Sequence, residues 1–498
     1  MKTASCRVHR QQAISEIDPR IYGSFIEHMG RAVYTGIYEP EHGTADDQGF
    51  REDVLQAISD LNVPIVRYPG GNFVSGYDWK DGIGPKEQRP TRLDYAWFSI
   101  ETNQFGINEF ADWAKKAGTS GMIAVNLGTG TPQEAGYLLE YCNIAQGTTW
   151  SDLRREHGYE QPHNFKTWCL GNEMDGPWQT CAMSAEDYGK KARETAKILK
   201  WVDPSIELVA CGSSSRDMPT FPEWDRIVLE ACYDEVDYIS LHRYYEYEGS
   251  QTDFLASFYD LNEFITTVKA TADYVRAVKR SDKVMMLSLD EWNVWYRQNM
   301  DCKRWEWAPS IAEDEYTLLD ALVVGGLLTT IVNNADRVKM ACLAQLVNAL
   351  APIHTAPNGA VLKHTTYYPF QQVSNFARGV AYRSQLTCEQ VTTKNLGSVP
   401  ALTALTTFDD STGELAHFVL NTHQDDSVDY QLNLESFGRL QLIDHQVLAG
   451  DDPFAGNTFE HPDNICPTQK PIDVQPGEQF AFELPAASWT LLRFKSEA

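Results

Sequence analysis

Two stretches, Lys166-Thr-Trp-Cys-Leu-Gly-Asn172-Glu173 and Val284-Met-Met-Leu-Ser-Leu-Asp-Glu291-Trp292, decide the reading of this chain. Each is a short apolar run ending in a glutamate, where a buried strand passes into a loop. Runs this continuously apolar suit parallel strands covered on both faces. A carboxylate at such a junction is costly to desolvate unless something there uses it. One alone reads equally well as a surface residue at a strand end. Two, flanked by Trp and amide side chains, point elsewhere. At the ends of parallel barrel strands they face one another across the mouth, as the acid and the nucleophile of a glycosidase must.

Outward from these runs the pattern repeats. Apolar runs at 21–27, 64–68, 122–127, 167–172, 206–211, 236–242, 284–291 and 340–346 alternate with helix-period stretches at 50–61, 107–117, 132–144, 185–201, 223–232, 254–279 and 314–334. Thr131 before Pro132, and Ser184 with Asp187 three residues on, are fitting N-terminal caps. The fold class expected is α/β, a (β/α)8 barrel over residues 18–378. An open doubly wound sheet fits the alternation too, but no Gly-x-Gly-x-x-Gly or Gly-x4-Gly-Lys-Ser/Thr loop follows the first run. From about residue 380 short strands separated by Asp, Gly and Pro turns predict an antiparallel, jelly-roll-like β-sandwich at 379–498, joined by an N-terminal strand within 1–17.

The chain has 498 residues, 43% apolar and 22% charged, with 69 acidic against 42 basic side chains and a formal charge of -27. Such a surface repels nucleic acid and anionic membranes, so neither is expected as a partner. The first ten residues hold no apolar core of signal-peptide length, and the apolar stretch 321–332 is too short to span a bilayer. The ten Cys form no C-x-x-C pair, and Cys169, Cys211 and Cys342 sit inside apolar runs, where a thiol acts as a small hydrophobe. A reduced, cytoplasmic protein with no metal site and no cofactor is the expectation.

The strand ends, taken in order, carry Glu27 and His28, then Arg67 with Pro69-Gly-Gly-Asn72, Asn126, Asn172-Glu173, His242-Arg-Tyr244, Glu291-Trp292 and Gln345. Strands that merely pack have no reason to deliver polar groups to one face. Tyr22-Gly-Ser-Phe-Ile-Glu27-His28, Val66-Arg67-Tyr-Pro-Gly-Gly-Asn72-Phe73, Trp168-Cys-Leu-Gly-Asn172-Glu173-Met-Asp-Gly-Pro-Trp178-Gln179 and Asp290-Glu291-Trp-Asn-Val-Trp295-Tyr296 carry a resemblance. Over roughly residues 20–360 the chain resembles the α-L-arabinofuranosidases of glycoside hydrolase family 51.

The resemblance implies a retaining mechanism, with Glu173 as acid/base and Glu291 as nucleophile, and a homo-oligomer, often a hexamer. It places Asn172 on the sugar 2-OH. Glu27, Asn72 and Gln345 would bind the other hydroxyls, Trp97 and Trp295 would stack on sugar faces, and His242 would be a supporting donor. The chemistry agrees. Glu173 must carry a proton to the glycosidic oxygen, in a dry setting beside Trp168 or Trp178. Glu291 must stay ionised, which Arg67 and a hydrogen bond from Tyr244 favour. Asp290 competes for the nucleophile role, but strict strand alternation turns only one of the two inward. Gly70 and Gly71 read as a tight turn, and Trp292, Trp305 and Trp307 as core or subsite.

The substrate expected is a terminal non-reducing α-L-arabinofuranosyl unit on an arabino-oligosaccharide from arabinan or arabinoxylan. Two rivals stay open: an endo-β-glucanase or xylanase on the same scaffold, and a sugar-binding protein without catalysis.

Overall fold

The computed structural model describes residues 2–497. Eight parallel strands close into a barrel: Gly23–Phe25, Ile65–Tyr68, Ser120–Ala124, Thr167–Leu170, Glu207–Ala210, Tyr238–Tyr245, Met286–Val294 and Val338–Leu343. Each pairs with its sequence neighbour, and the eighth returns to the first. The closed barrel replaces the open-sheet alternative.

The helices start where the caps predict. Thr131 Oγ1 accepts from the Glu134 amide at 3.2 Å with Pro132 in the first turn, and Ser184 Oγ from Asp187 at 3.2 Å. The stretch expected as one helix over 254–279 is two, Gln251–Leu255 and Ser257–Lys279, meeting at Ala256. Helices Thr149–Glu156 and Tyr367–Phe376 were not anticipated.

The second unit is a nine-stranded sheet, ordered Thr468–Gln469, Leu440–Leu448, Ser488–Ser496, Glu414–Asn421, Leu402–Asp409, Val380–Thr387, Lys2–Glu16, Val428–Asn433, Gln479–Leu484. It is mostly antiparallel, but Lys2–Glu16 runs parallel to Val428–Asn433 and antiparallel to Val380–Thr387. The sheet folds over on itself: Phe480, on its last strand, lies with its ring 4.7 Å from that of Phe494, on the third.

Helix Leu318–Asn333 joins the two units. It is largely apolar and buried on nearly every side, with Asp320 turned to the Thr317 cap. Its glycines let the sandwich approach. A Cβ on Gly325 would fall 2.7 Å from the Trp489 ring, and one on Gly326 would fall 3.0 Å from Leu420. The apolar stretch at 321–332 is therefore a domain seam. No helix among the described residues is long and apolar enough to cross a membrane. The ten cysteines are free thiols, six of them buried.

Candidate active site

The fourth and seventh strands bring the two glutamates together. One carboxylate oxygen of Glu173, one of Glu291 and a ring nitrogen of His242 all lie within 4.8 Å of one another. Glu173 sits just past its strand at φ +43°, a left-handed conformation that costs a non-glycine residue on the order of 1–3 kcal/mol and persists only where the surroundings hold it. Here they do: Trp178 Nε1 donates to Glu173 Oε2 at 2.6 Å, and His242 Nδ1 lies 2.8 Å from Oε1. Of the two tryptophans weighed beside Glu173, only Trp178 is there. Trp168 is buried in the core and donates to the Phe165 carbonyl.

Glu291 is held from both sides. Arg67 Nη1 donates to Oε1 at 2.6 Å and Tyr244 to Oε2 at 2.8 Å, with His242 Nδ1 3.5 Å away. Arg67 is buried, and its Nη2 donates to Asn172 Oδ1 at 2.7 Å. Asn172 Nδ2 then faces Asn72 Oδ1 and Gln179 Oε1, each at 3.3 Å. One guanidinium thus fixes the carboxylate and the amide that sequence reading singled out.

The alternation argument against Asp290 fails. Ser288 pairs with Ser240 and Glu291 with His242, so three steps on the seventh strand match two on the sixth. That extra residue is a β-bulge, a device that re-aims side chains near active sites. It turns Asp290 inward as well as Glu291. Asp290 is buried and accepts from Ser240 at 2.6 Å, with Arg67 Nε and His242 Nε2 each 3.4 Å away. It lies behind the glutamates, between the two cations. Although burial opposes it, Arg67 and His242 hold the Asp290 carboxyl below the usual range. Burial also works against a charge on His242, but Glu291, Asp290 and Glu173 together raise its proton affinity well above the ordinary imidazole value. Glu173, His242 and Glu291 have the composition of a cation site, and the Arg67 guanidinium lies against Glu291.

The first, second and eighth strands build the other wall. Glu27 Oε1 accepts from the Phe73 amide and from Trp97 Nε1, both at 2.9 Å, and Gln345 Nε2 lies 3.4 Å from Oε2. Burial pushes the Glu27 carboxyl up to about 8 despite the Phe73 amide, with the Glu291 charge adding to the rise. Gly70 and Gly71 do more than turn the chain. A Cβ on Gly71 would lie 2.7 Å from Glu27 Oε2, and one on Gly70 would lie 3.2 Å from Oε1. Trp97, Tyr244 and Trp295 pack on one small apolar cluster, with the Tyr244 and Trp295 rings edge-on at 5.0 Å.

The predicted residues Glu27, Arg67, Asn72, Trp97, Asn172, Glu173, His242, Tyr244, Glu291, Trp295 and Gln345 therefore gather at one mouth. Two other strand-end groups do not join them. His28 is buried between Glu101 and Tyr68, and Asn126 braces its own loop through Tyr77 and Gly130. Trp292 is core, whereas Trp305 and Trp307 are exposed. Gln179 was missed as a site residue, and Asp290 was set aside by the alternation argument. Gln179 lay inside the quoted motif, but nothing in its spacing said that it would hold Asn172. The bulge that turns Asp290 leaves no mark in the sequence.

A closed parallel barrel with a carboxyl pair at its C-terminal mouth is an arrangement that glycoside hydrolases use. Residues 57–263 match the family model for the α-L-arabinofuranosidase 1 domain, and residues 290–488 that for the α-L-arabinofuranosidase C-terminal domain. An intracellular exo-α-(1→5)-L-arabinofuranosidase of Halalkalibacterium halodurans is 49% identical over 99% of both chains. An exo-α-(1→6)-L-arabinofuranosidase of Bifidobacterium longum is 43% identical over 97% of this chain and 95% of its own. A solved family 51 α-L-arabinofuranosidase from Bifidobacterium longum superposes with a TM-score of 0.95 at 42% identity, covering 99% of this chain and 100% of its own. The chain belongs to the α-L-arabinofuranosidases of glycoside hydrolase family 51, and it is a glycoside hydrolase.

Proposed function

We propose that the protein is a retaining, exo-acting α-L-arabinofuranosidase that removes terminal non-reducing arabinofuranosyl units from arabino-oligosaccharides. The observation that carries this reading is the approach of Glu173, His242 and Glu291 within 4.8 Å. Carboxyl groups about 5–5.5 Å apart belong to double displacement, whereas inversion needs roughly 6.5 Å or more to admit a water.

In the first step Glu291 attacks the anomeric carbon. The glycosidic C–O bond breaks, and the Glu173 proton goes to the departing oxygen. The glycosyl ester that forms is neutral at Glu291, so the ion pair with Arg67 is relaxed. In the second step Glu173, now ionised, takes a proton from a water whose oxygen attacks the anomeric carbon, and Glu291 leaves as a carboxylate. Asn172, Asn72, Glu27 and Gln345 bind the sugar hydroxyls. Glu27, still protonated near neutrality, offers them both a donor and an acceptor. Trp97 and Trp295 line the sugar faces, and His242 steadies both glutamates.

The α-(1→5) linkage is the first choice, by likeness to the more similar relative. The relative named for α-(1→6) makes linkage a separate question. The reading includes a cytoplasmic location, a homo-oligomer, independence of metal, and domains at 18–378 and 379–498 with 1–17 joined to the second. A panel of aryl α-L-arabinofuranoside, β-D-xyloside, β-D-glucoside and β-D-galactofuranoside tests the activity. Preferential cleavage of the first is expected, and preference for the glucoside or xyloside overturns the reading. Arabinotriose isomers in α-(1→5) and α-(1→6) linkage then decide the bond.

A further inference from the structure

Glu173 opens a turn whose place in the mouth is set from behind. The turn runs Glu173-Met-Asp175-Gly176, closed by the Gly176 amide donating to the Glu173 carbonyl at 2.8 Å. The chain then brings Trp178 back to donate to Glu173 Oε2. Met174 sinks one side of the turn into the core. Asp175 fastens the other: its Oδ2 accepts from the Ser214 amide at 3.0 Å and from Ser214 Oγ at 3.1 Å. Ser214 belongs to the loop after the fifth strand.

That loop is itself firmly placed. Ser213 donates its amide to Asp225 Oδ1 at 2.7 Å and its hydroxyl to Oδ2 at 3.2 Å. Asp225 is a buried residue of helix Glu223–Cys232, and its neighbour Trp224 donates from Nε1 to the Cys211 carbonyl at 3.1 Å. A line of contacts thus runs from a barrel helix through Ser213 and Ser214 to Asp175, two residues beyond Glu173.

Asp175 serves nothing else in the fold. Its other oxygen, Oδ1, is buried without a hydrogen-bond partner among the described residues. Burial pushes the Asp175 carboxyl up to about 6 despite the Ser214 amide; the Glu173 charge adds to the rise and His242 opposes it. Asp225 is the acidic group that faces it from the helix side. Near neutrality Asp175 is therefore mostly ionised and accepts from both Ser214 donors. The residue it steadies is the one held at φ +43°, a conformation that lasts only under outside support.

We propose that Asp175 is the positioning residue of the acid/base: it bolts the turn that carries Glu173 and Trp178 to the loop after the fifth strand, and so aims the Glu173 proton at the departing oxygen. The proposal rests on the activity proposed above. It is tested on dinitrophenyl, p-nitrophenyl and phenyl α-L-arabinofuranosides, which share the sugar and the ring and differ in how far the leaving oxygen needs a proton. The readout is kcat/KM, which measures stabilisation of the transition state from free enzyme and substrate. Asp175→Ala should lose no more than about twofold on the dinitrophenyl glycoside and about tenfold on the phenyl glycoside, the latter equivalent to about 1.4 kcal/mol.

Asp175→Asn keeps an oxygen that accepts from Ser214, and should recover most of that loss. Ser214→Ala removes only the hydroxyl donor, and should show the same selectivity on a smaller scale. Because Asp175 acts through Glu173, adding Asp175→Ala to Glu173→Ala should bring no further loss. Equal losses across the three glycosides, additive losses in the double variant, or a parent-like phenyl rate in Asp175→Ala each overturn the positioning role. A parent inactive on every arabinofuranoside overturns the activity reading itself. In that case fluorine NMR of protein labelled with fluorotryptophan judges the turn. The Trp178 resonance, assigned by its absence in Trp178→Phe, should move in Asp175→Ala and keep its place in Asp175→Asn. An unmoved resonance in Asp175→Ala overturns the anchor.

Discussion

Asp290 Oδ1 lies 3.4 Å from His242 Nε2, while the other ring nitrogen, Nδ1, lies 2.8 Å from the carboxylate of Glu173. A buried carboxylate that never meets the sugar thus stands behind the imidazole linking both glutamates. Asp290→Asn keeps the shape and removes the charge. Catalysis should fall at least about tenfold in kcat, equivalent to about 1.4 kcal/mol of barrel-mouth electrostatics, with KM little changed. Asp290 helps His242 hold its proton, so the alkaline limb of the pH–rate profile should also move to lower pH. A loss confined to KM, with the profile unmoved, argues that Asp290 only packs.

Glu27 makes folding stability depend on pH. Its carboxyl ionises near 4.5 when exposed and about 8 when folded. Between these values the folded protein binds more protons than the unfolded chain. The contribution of Glu27 to stability is therefore complete below about pH 4.5 and is lost as pH rises through about 8. Glu27→Gln removes this dependence. Denaturant titrations should show the variant gaining on the parent between pH 5 and pH 8, while its activity falls for want of the carboxyl. A constant stability difference across that range contradicts the assignment.

Gly71 is required for space. A Cβ there would come within 2.7 Å of Glu27 Oε2. Gly71→Ala should therefore displace a sugar-binding carboxyl while leaving the fold intact. The expected result is a drop in kcat/KM of about tenfold or more, from about 1–3 kcal/mol of overpacking, expressed at the site. Thermal denaturation of the variant separates this from unfolding. A destabilised protein with normal kcat/KM would place the strain elsewhere.

Much of this was legible in the sequence because a parallel barrel repeats. Most strands are largely apolar runs, and a polar residue at or just past the end faces the mouth on most of them, though His28 and Asn126 do not. That regularity located Glu27, Arg67, Asn172, Glu173 and Gln345. It misled at Asp290, because one extra residue between Ser288 and Glu291 changes which side chains turn inward, and a bulge has no sequence signature. Tertiary events were equally silent. The parallel pairing of Lys2–Glu16 with Val428–Asn433 joins segments more than four hundred residues apart, and the contact of Lys394 with Asp253 depends on how the sandwich docks. Gly70 and Gly71 read only as a tight turn, and the crowding of Glu27 by a Cβ on either shows only once Glu27 is seen behind them.

The central claim is the division of labour between Glu173 and Glu291, and azide rescue tests it most directly. In Glu173→Ala an activated aryl arabinofuranoside, whose phenol leaves without protonation, still forms the glycosyl ester with Glu291. Hydrolysis of that ester then stalls for lack of a base. Azide needs no base, so it should restore turnover and yield an arabinosyl azide with the configuration of the substrate. Glu291→Ala should be inactive on every substrate, and any azide product should have the inverted configuration. An inverted azide from Glu173→Ala, or equal losses in the two variants on activated and unactivated substrates, would contradict the assignment.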